Sequence, residues 1–138
     1  MKKTFAIIKP DITSKNIEMA VLLEIARRGF AIMLMEDRVL TKEEARWLYQ
    51  EHQGKDFFND QVAFMCSGNV ILLLLQTEHG DTPERFRVVM GPTDFRKADP
   101  HTLRGKFATG YRQNAIHGSD GNESAKQEIE YFFGTKYS

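Results

Sequence analysis

Val70-Ile71-Leu72-Leu73-Leu74-Leu75 is the longest apolar run in the chain, and the turn residues Ser67-Gly68-Asn69 in front of it leave little room for a helix. The run predicts a central strand, and it is far too short to span a bilayer. Phe5 to Ile8 reads as a second buried strand that stops at Pro10, and Phe30 to Leu40 as a third. Helices fall between them. One runs from about Asn16 to Arg28, with Ile17, Val21 and Ile25 on a stripe and Gly29 as terminator. Thr41 with Glu44 is a capping-box signature, and the helix it opens sets Ala45, Leu48, Tyr49 and His52 on one face. Thr82 caps another through Pro83 and Glu84, ending near Gly91, and a closing helix spans about Glu123 to Phe133. Alternating strands and helices over 138 residues predict one domain, 1–138, folded as a compact α/β or α+β sandwich. Gly91 to Gln113 shows no period, and an ordered loop of that length in a small domain is usually functional.

Nineteen basic residues balance nineteen acidic ones, so no global field recruits nucleic acid or an anionic membrane, and any phosphate site must be local. Cys66 is alone, which excludes an internal disulfide and a cysteine metal site; it reads as a small core residue in a reducing compartment. The apolar run at the N-terminus is too short for a signal peptide and is broken by Lys9. The expectation is a soluble cytoplasmic protein.

Chemistry concentrates at Asn114-Ala115-Ile116-His117-Gly118-Ser119-Asp120, just before the closing helix. Imidazole is nucleophilic and unprotonated near neutral pH, Gly118 lets backbone approach closely, and Ser119 and Asp120 can cap the helix. Ala125, Ile129 and Phe132 form the apolar stripe of that helix, and Glu128 lies on the same side. A carboxylate there is costly unless paired, and His117 is the nearby group able to donate to it; the alternative is that Glu128 reaches water or a lysine.

Neither a P-loop nor a dinucleotide fingerprint occurs, so side chains must hold any phosphate. Lys9, Arg85 and Arg104, with Thr93, are the candidates, although each cation taken alone also reads as a solvated surface residue. Tyr49, His52 and Phe57-Phe58 gather a phenol, an imidazole and an aromatic plate; they pack into the core or expose Phe57 to a base. His79 and His101 lack metal-ligand partners, and no protein metal site is expected.

These residues together resemble the nucleoside diphosphate kinase family over nearly the whole chain. The match runs through Ile8-Lys9-Pro10-Asp11, Tyr49-x-x-His52, Phe57-Phe58, Ser67-Gly68, Gly91-x-Thr93, Thr102-x-Arg104-Gly105-x-Phe107 and the specific Asn114-x-x-His117-Gly118-Ser119-Asp120. The resemblance implies a ferredoxin-like fold: a four-stranded antiparallel sheet covered by helices, with a short helical hairpin around Asp56 to Cys66. It implies ping-pong transfer of a γ-phosphoryl from a nucleoside triphosphate, through His117, to a nucleoside diphosphate. Glu128 would orient His117 and Tyr49 would stand beside it. The base would stack on Phe57, the sugar would meet Lys9 and Asn114, and the phosphates would meet His52, Arg85, Thr93 and Arg104. Mg²⁺ would ride on the phosphates, and the protein would be a homo-oligomer built from dimers, a tetramer or a hexamer. The chain departs from the family at Gly121, at Asp94-Phe95-Arg96, at Pro100-His101-Thr102 and at Tyr111-Arg112-Gln113, which sets Tyr111 where a small residue normally faces the base. A nucleotide-binding regulatory module with reduced catalysis is the alternative these departures leave open. Nucleic-acid binding through Arg96, Lys97, Arg104 and Arg112 is the weaker third.

Overall fold

The structure is a computed structural model and describes residues 3–138. In chain order it runs β1 (Lys3–Ile8), α1 (Pro10–Thr13), α2 (Glu18–Arg27), β2 (Ala31–Arg38), α3 (Lys42–Leu48), α4 (Phe58–Met65), β3 (Val70–Gln76), α5 (Thr82–Met90), α6 (Leu103–Phe107), β4 (Ile116–Gly118) and α7 (Asn122–Phe133). The strands form one sheet in the order β2-β3-β1-β4, antiparallel throughout. This is the ferredoxin-like sandwich that the motifs imply.

The apolar run dictates the layering. Six successive residues from Val70 to Leu75 are buried, so both faces of β3 need a cover. Ile71, Leu73 and Leu75 pack with Val21, Ile25 and Phe86 from α2 and α5. Leu72 and Leu74 pack with Leu48, Met65 and Ile129 from α3, α4 and α7 on the other face. Truncating one of these fully buried leucines to alanine costs about 2–5 kcal/mol.

Several boundaries differ from the expectations, each for a local reason. Pro10 begins the short helix α1 instead of merely ending β1, because its missing N–H is harmless in a first turn. A bulge between Ile32 and Leu34 breaks the register of β2, which begins at Ala31 and ends at Arg38. The Thr41 capping box forms with both of its bonds, 3.1 Å and 2.9 Å. Its helix stops at Leu48, however, and His52 lies in a separate 3₁₀ turn, Gln50–His52. Asp56 to Cys66 contains one helix, α4, which contacts α3. Asp81, not Thr82, caps α5 by accepting from the Glu84 N–H at 3.0 Å, while the buried Thr82 hydroxyl bonds Thr77 at 2.7 Å. Cys66 is half-buried against the second core. The aperiodic stretch 91–113 contains α6, capped by Thr102, and a 3₁₀ turn, Phe95–Lys97.

Candidate active site

β4 is only three residues long, yet it positions the whole site. Its pairing with β1 sets His117 opposite Ile7, two residues before Lys9. Gly118 suits this approach: a Cβ there would come within 3.0 Å of the Phe86 ring and 3.1 Å of the Met90 sulfur, so a larger residue would push these α5 side chains back by a few tenths of an ångström. Ser119 and Asp120 do not cap α7. Gly121 occupies the cap position, Asp120 accepts from Arg87 Nη1 at 2.8 Å, and the Ser119 hydroxyl turns inward.

His117 Nε2 stands 2.9 Å from Glu128 Oε1, and the Ser119 hydroxyl donates to the same oxygen at 2.8 Å. Both side chains are nearly covered, at 16% and 12% exposure, and a carboxylate only accepts, so a neutral imidazole in this contact carries its proton on Nε2. Nδ1 has no hydrogen-bond partner among the described residues. The Tyr49 ring meets the imidazole edge-on at 6.1 Å and holds its plane. Burial keeps the Tyr49 phenol protonated far above its usual range, and its hydroxyl has no partner among the described residues. His52 then links Tyr49, at 6.4 Å, to Phe57, at 5.2 Å between ring centres.

Two buried cations flank this strand. Lys9 Nζ donates to Asn114 Oδ1 at 2.7 Å. Burial, then the charge of Arg104, lowers Lys9 to about 7, with Asp11 opposing them. Arg104 donates through Nη2 to the Ile116 carbonyl at 2.8 Å and through Nη1 to the Gly91 carbonyl at 3.1 Å. Burial lowers it to about 10, and the nearby Arg87 charge adds to that. Such clustered, partly desolvated positive charge is ordinarily met at anion sites.

Beside Lys9 and Asn114 opens a cleft of about 440 Å³. Phe57, Phe64, Met65 and Tyr111 give it apolar walls, and Gln61, Thr93 and Arg112 stand at its edges. The structure thus brings Lys9, Phe57, Thr93, Tyr111 and Asn114 to one cleft, and Glu128, Tyr49 and Arg104 to the strand of His117. Arg85 is not brought in: it is exposed and donates to the His79 carbonyl at 2.7 Å. Arg87, two positions along α5, faces Asp120 and Arg104 instead, because residues two apart on a helix point to different sides. Reasoning from sequence missed Gln61, Phe64 and Met65, though their spacing from Phe57 of four, seven and eight residues marks one helix face. Gln61 Oε1 is buried with no partner among the described residues.

A sandwich whose edge strand offers a carboxylate-anchored histidine, next to buried cations and an aromatic-walled cleft, defines a nucleotide-handling phosphotransferase. Comparison with known proteins narrows the class. The family described as nucleoside diphosphate kinase matches residues 2–137. A nucleoside diphosphate kinase of Glaesserella parasuis serovar 5 is 43% identical over 133 residues, 96% of this chain and 95% of that protein. Among solved structures, the Aquifex aeolicus nucleoside diphosphate kinase is 36% identical with a TM-score of 0.89, over 96% of this chain and 94% of that one. The Halobacterium salinarum nucleoside diphosphate kinase, solved in complex with CDP, is 30% identical with a TM-score of 0.90, over 96% and 87% of the two chains. The chain belongs to the nucleoside diphosphate kinase family. It is a phosphotransferase that moves the γ-phosphoryl of a nucleoside triphosphate to a nucleoside diphosphate.

Proposed function

We propose that His117 carries the phosphoryl group on Nδ1 and that the cleft between Phe57 and Tyr111 receives the nucleoside, all within one domain, 1–138. The observation that carries this reading is the 2.9 Å contact between His117 Nε2 and Glu128, which in the neutral ring leaves the Nδ1 lone pair free to attack. Nδ1 attacks the γ-phosphorus, and the bond from that phosphorus to the β,γ-bridging oxygen breaks, its electron pair leaving with the nucleoside diphosphate. The ring becomes positive as the nitrogen–phosphorus bond forms, and Nε2 keeps its proton, held against Glu128. In the return half, a terminal oxygen of a second diphosphate attacks the phosphorus and the bonding pair returns to Nδ1.

Arg104 supplies fixed positive charge where the phosphates lie, Lys9 adds its own once bound phosphates hold the ammonium, His52 and Thr93 complete the contacts, and Lys9 and Asn114 meet the sugar hydroxyls. Arg85 has no place in this arrangement. Phe57 stacks on the base from one side and Tyr111 closes the other, a mode open to any base because each has a π face. The CDP bound by the Halobacterium relative is a ligand of that class. Gln61 Oε1 offers an unsatisfied acceptor to the base edge.

Mg²⁺ would be held by the nucleotide phosphates, not by protein ligands, and would supply charge neutralisation during transfer. The donor set fits this: the cleft presents an ammonium and an amide, and among the described residues no group of three His, Cys, Asp or Glu could hold an ion. Assembly into dimers, and from these a tetramer or hexamer, is supported by exposed Met19 and Leu23 on α2. Met35, also exposed, lies on the same side of the sheet on the unpaired edge strand β2. A cytoplasmic setting suits the single thiol of Cys66. No helix among the described residues is long and apolar enough to cross a membrane.

Incubation with Mg-ATP followed by NMR of the acid-labile product tests the core of this reading. The expected product is phosphohistidine at position 117 with phosphorus on Nδ1, and His117→Ala abolishes exchange. Phosphorus on Nε2, or normal exchange by H117A, overturns it.

A further inference from the structure

Ala115, two residues before His117, has φ +76° and is fully buried. The Ile116 N–H donates back to the Asn114 carbonyl at 2.9 Å, so residues 114–116 close a three-residue γ-turn. With positive φ at its centre this turn is rare and strained for any residue that carries a Cβ. Such strain persists only where surrounding bonds over-determine it. Here two do. The Lys9 N–H donates to the Ala115 carbonyl at 3.0 Å, and the Ala115 N–H donates to Asp11 Oδ2 at 3.1 Å.

Asp11 is an expensive residue to keep for this purpose. It is only 6% exposed, and its second oxygen, Oδ1, has no hydrogen-bond partner among the described residues. A half-satisfied buried carboxylate calls for an explanation. Its one side-chain bond goes to the N–H at the centre of the strained turn. The consequence of that turn is visible on both sides: Asn114 is thrown back against Lys9 Nζ at 2.7 Å, while Ile116 and His117 continue into register with β1.

We propose that Asp11 is a positioning residue, whose carboxylate clamps Ala115 in the left-handed turn and thereby sets Asn114 against Lys9 and His117 on its strand. The assignment rests on the reading of His117, Lys9 and Asn114 given above. Without the clamp Ala115 relaxes to negative φ, the 114–115 peptide rotates, and the two ends of the site lose their relative placement.

Four variants test this: D11A, D11N, A115G and the double variant D11A/A115G, assayed for kcat and KM with Mg-ATP and a diphosphate acceptor. D11A loses about ten-fold or more in kcat, since the turn is no longer held. Glycine takes positive φ without strain, so adding A115G to D11A recovers at least about five-fold of that loss. A residue needed merely for folding gains nothing from a change at position 115. The amide oxygen that D11N introduces still accepts from the Ala115 N–H, so this variant stays within about five-fold of the parent. Wild-type kcat in D11A, absence of recovery in the double variant, or a greater loss in D11N overturns the proposal. D11N decides the matter even if D11A fails to fold. Activity retained by H117A would instead sink the underlying reading and is scored separately.

Discussion

Around His117 the polar neighbours are buried and bonded mostly to one another: Glu128 to the imidazole and Ser119, Arg104 to two carbonyls, Lys9 to Asn114. Across the cleft, Phe57 and Tyr111 are 43% and 59% exposed, and a surface ion pair, Arg112 to Asp60 at 3.1 Å, joins the loop that carries Tyr111 to α4. On the function proposed above, the two regions serve different tasks. Phosphoryl transfer needs charge and geometry fixed before the substrate arrives, because reorganisation during the step would cost rate. Holding an arbitrary base needs a flat surface and some freedom to adjust. The contrast predicts that substitutions near His117 act on kcat and those in the cleft act on KM.

Glu128→Gln tests the first half most severely. The amide preserves shape but not the charge that stabilises the imidazolium during transfer, so kcat falls about a hundred-fold with KM for ADP little changed. Quenched-flow measurement of His117 phosphorylation reads this directly. A rate within about three-fold of the parent would erase the distinction between the regions.

Lys9 belongs to both regions, and pH separates its roles. Burial lowers the ammonium to about 7 from its ordinary 10.5, so the empty site sheds this proton above neutrality. Bound phosphates favour the charged form again, and binding therefore takes up a proton. Affinity falls by up to about ten-fold per pH unit above 7, until the pH passes the value in the complex. Calorimetry in two buffers of different ionisation enthalpy shows the uptake; identical heats at pH 8 would mean that Lys9 keeps the same charge in the empty and the occupied site, and would overturn the prediction. The stability sign follows the same logic. The unfolded lysine holds its proton up to about 10.5, so the cost of folding it away is greatest below about 7 and fades between these values. The empty protein gains stability over that window as pH rises.

What the sequence makes legible in this comparison is whatever repeats or pairs locally. Val70 to Leu75, the Thr41 capping box and the stripe that places Glu128 beside His117 are all patterns within about a dozen residues. The Asp11 clamp on Ala115 joins residues 104 apart and leaves no periodic trace. β4 and α6, at three and five residues, are too short to show a period. Ser119 looks like a helix cap because the same hydroxyl chemistry serves a cap or a buried carboxylate, and only the turn at β4 decides which. Arg85 and Arg87 differ by an angle around α5 that the amphipathic stripe alone does not orient toward the site.

Phe57→Ala tests the second half. Removing a half-exposed stacking face raises KM for diphosphates about five-fold, at the low end for base stacking, and leaves kcat nearly unchanged. The increase is larger for purines than for pyrimidines, whose smaller rings lose less contact. A matching fall in kcat would show that the aromatic wall also sets the phosphate, and the separation of the two regions would fail.

The smallest effect is expected at Asp60→Asn. The Asp60–Arg112 pair is exposed on both sides and spans the cleft mouth from α4 to the loop. Exposed pairs lose in solvation and side-chain entropy most of what they gain in attraction, so KM changes by less than about two-fold in physiological salt. The change grows when ionic strength is lowered, because screening weakens. If instead KM rises ten-fold and stays raised at high salt, the pair is a latch that shapes the cleft before nucleotide binds. The aromatic side of the site would then be as preorganised as the side around His117, and the freedom assigned to base recognition would have to be sought in Tyr111 alone.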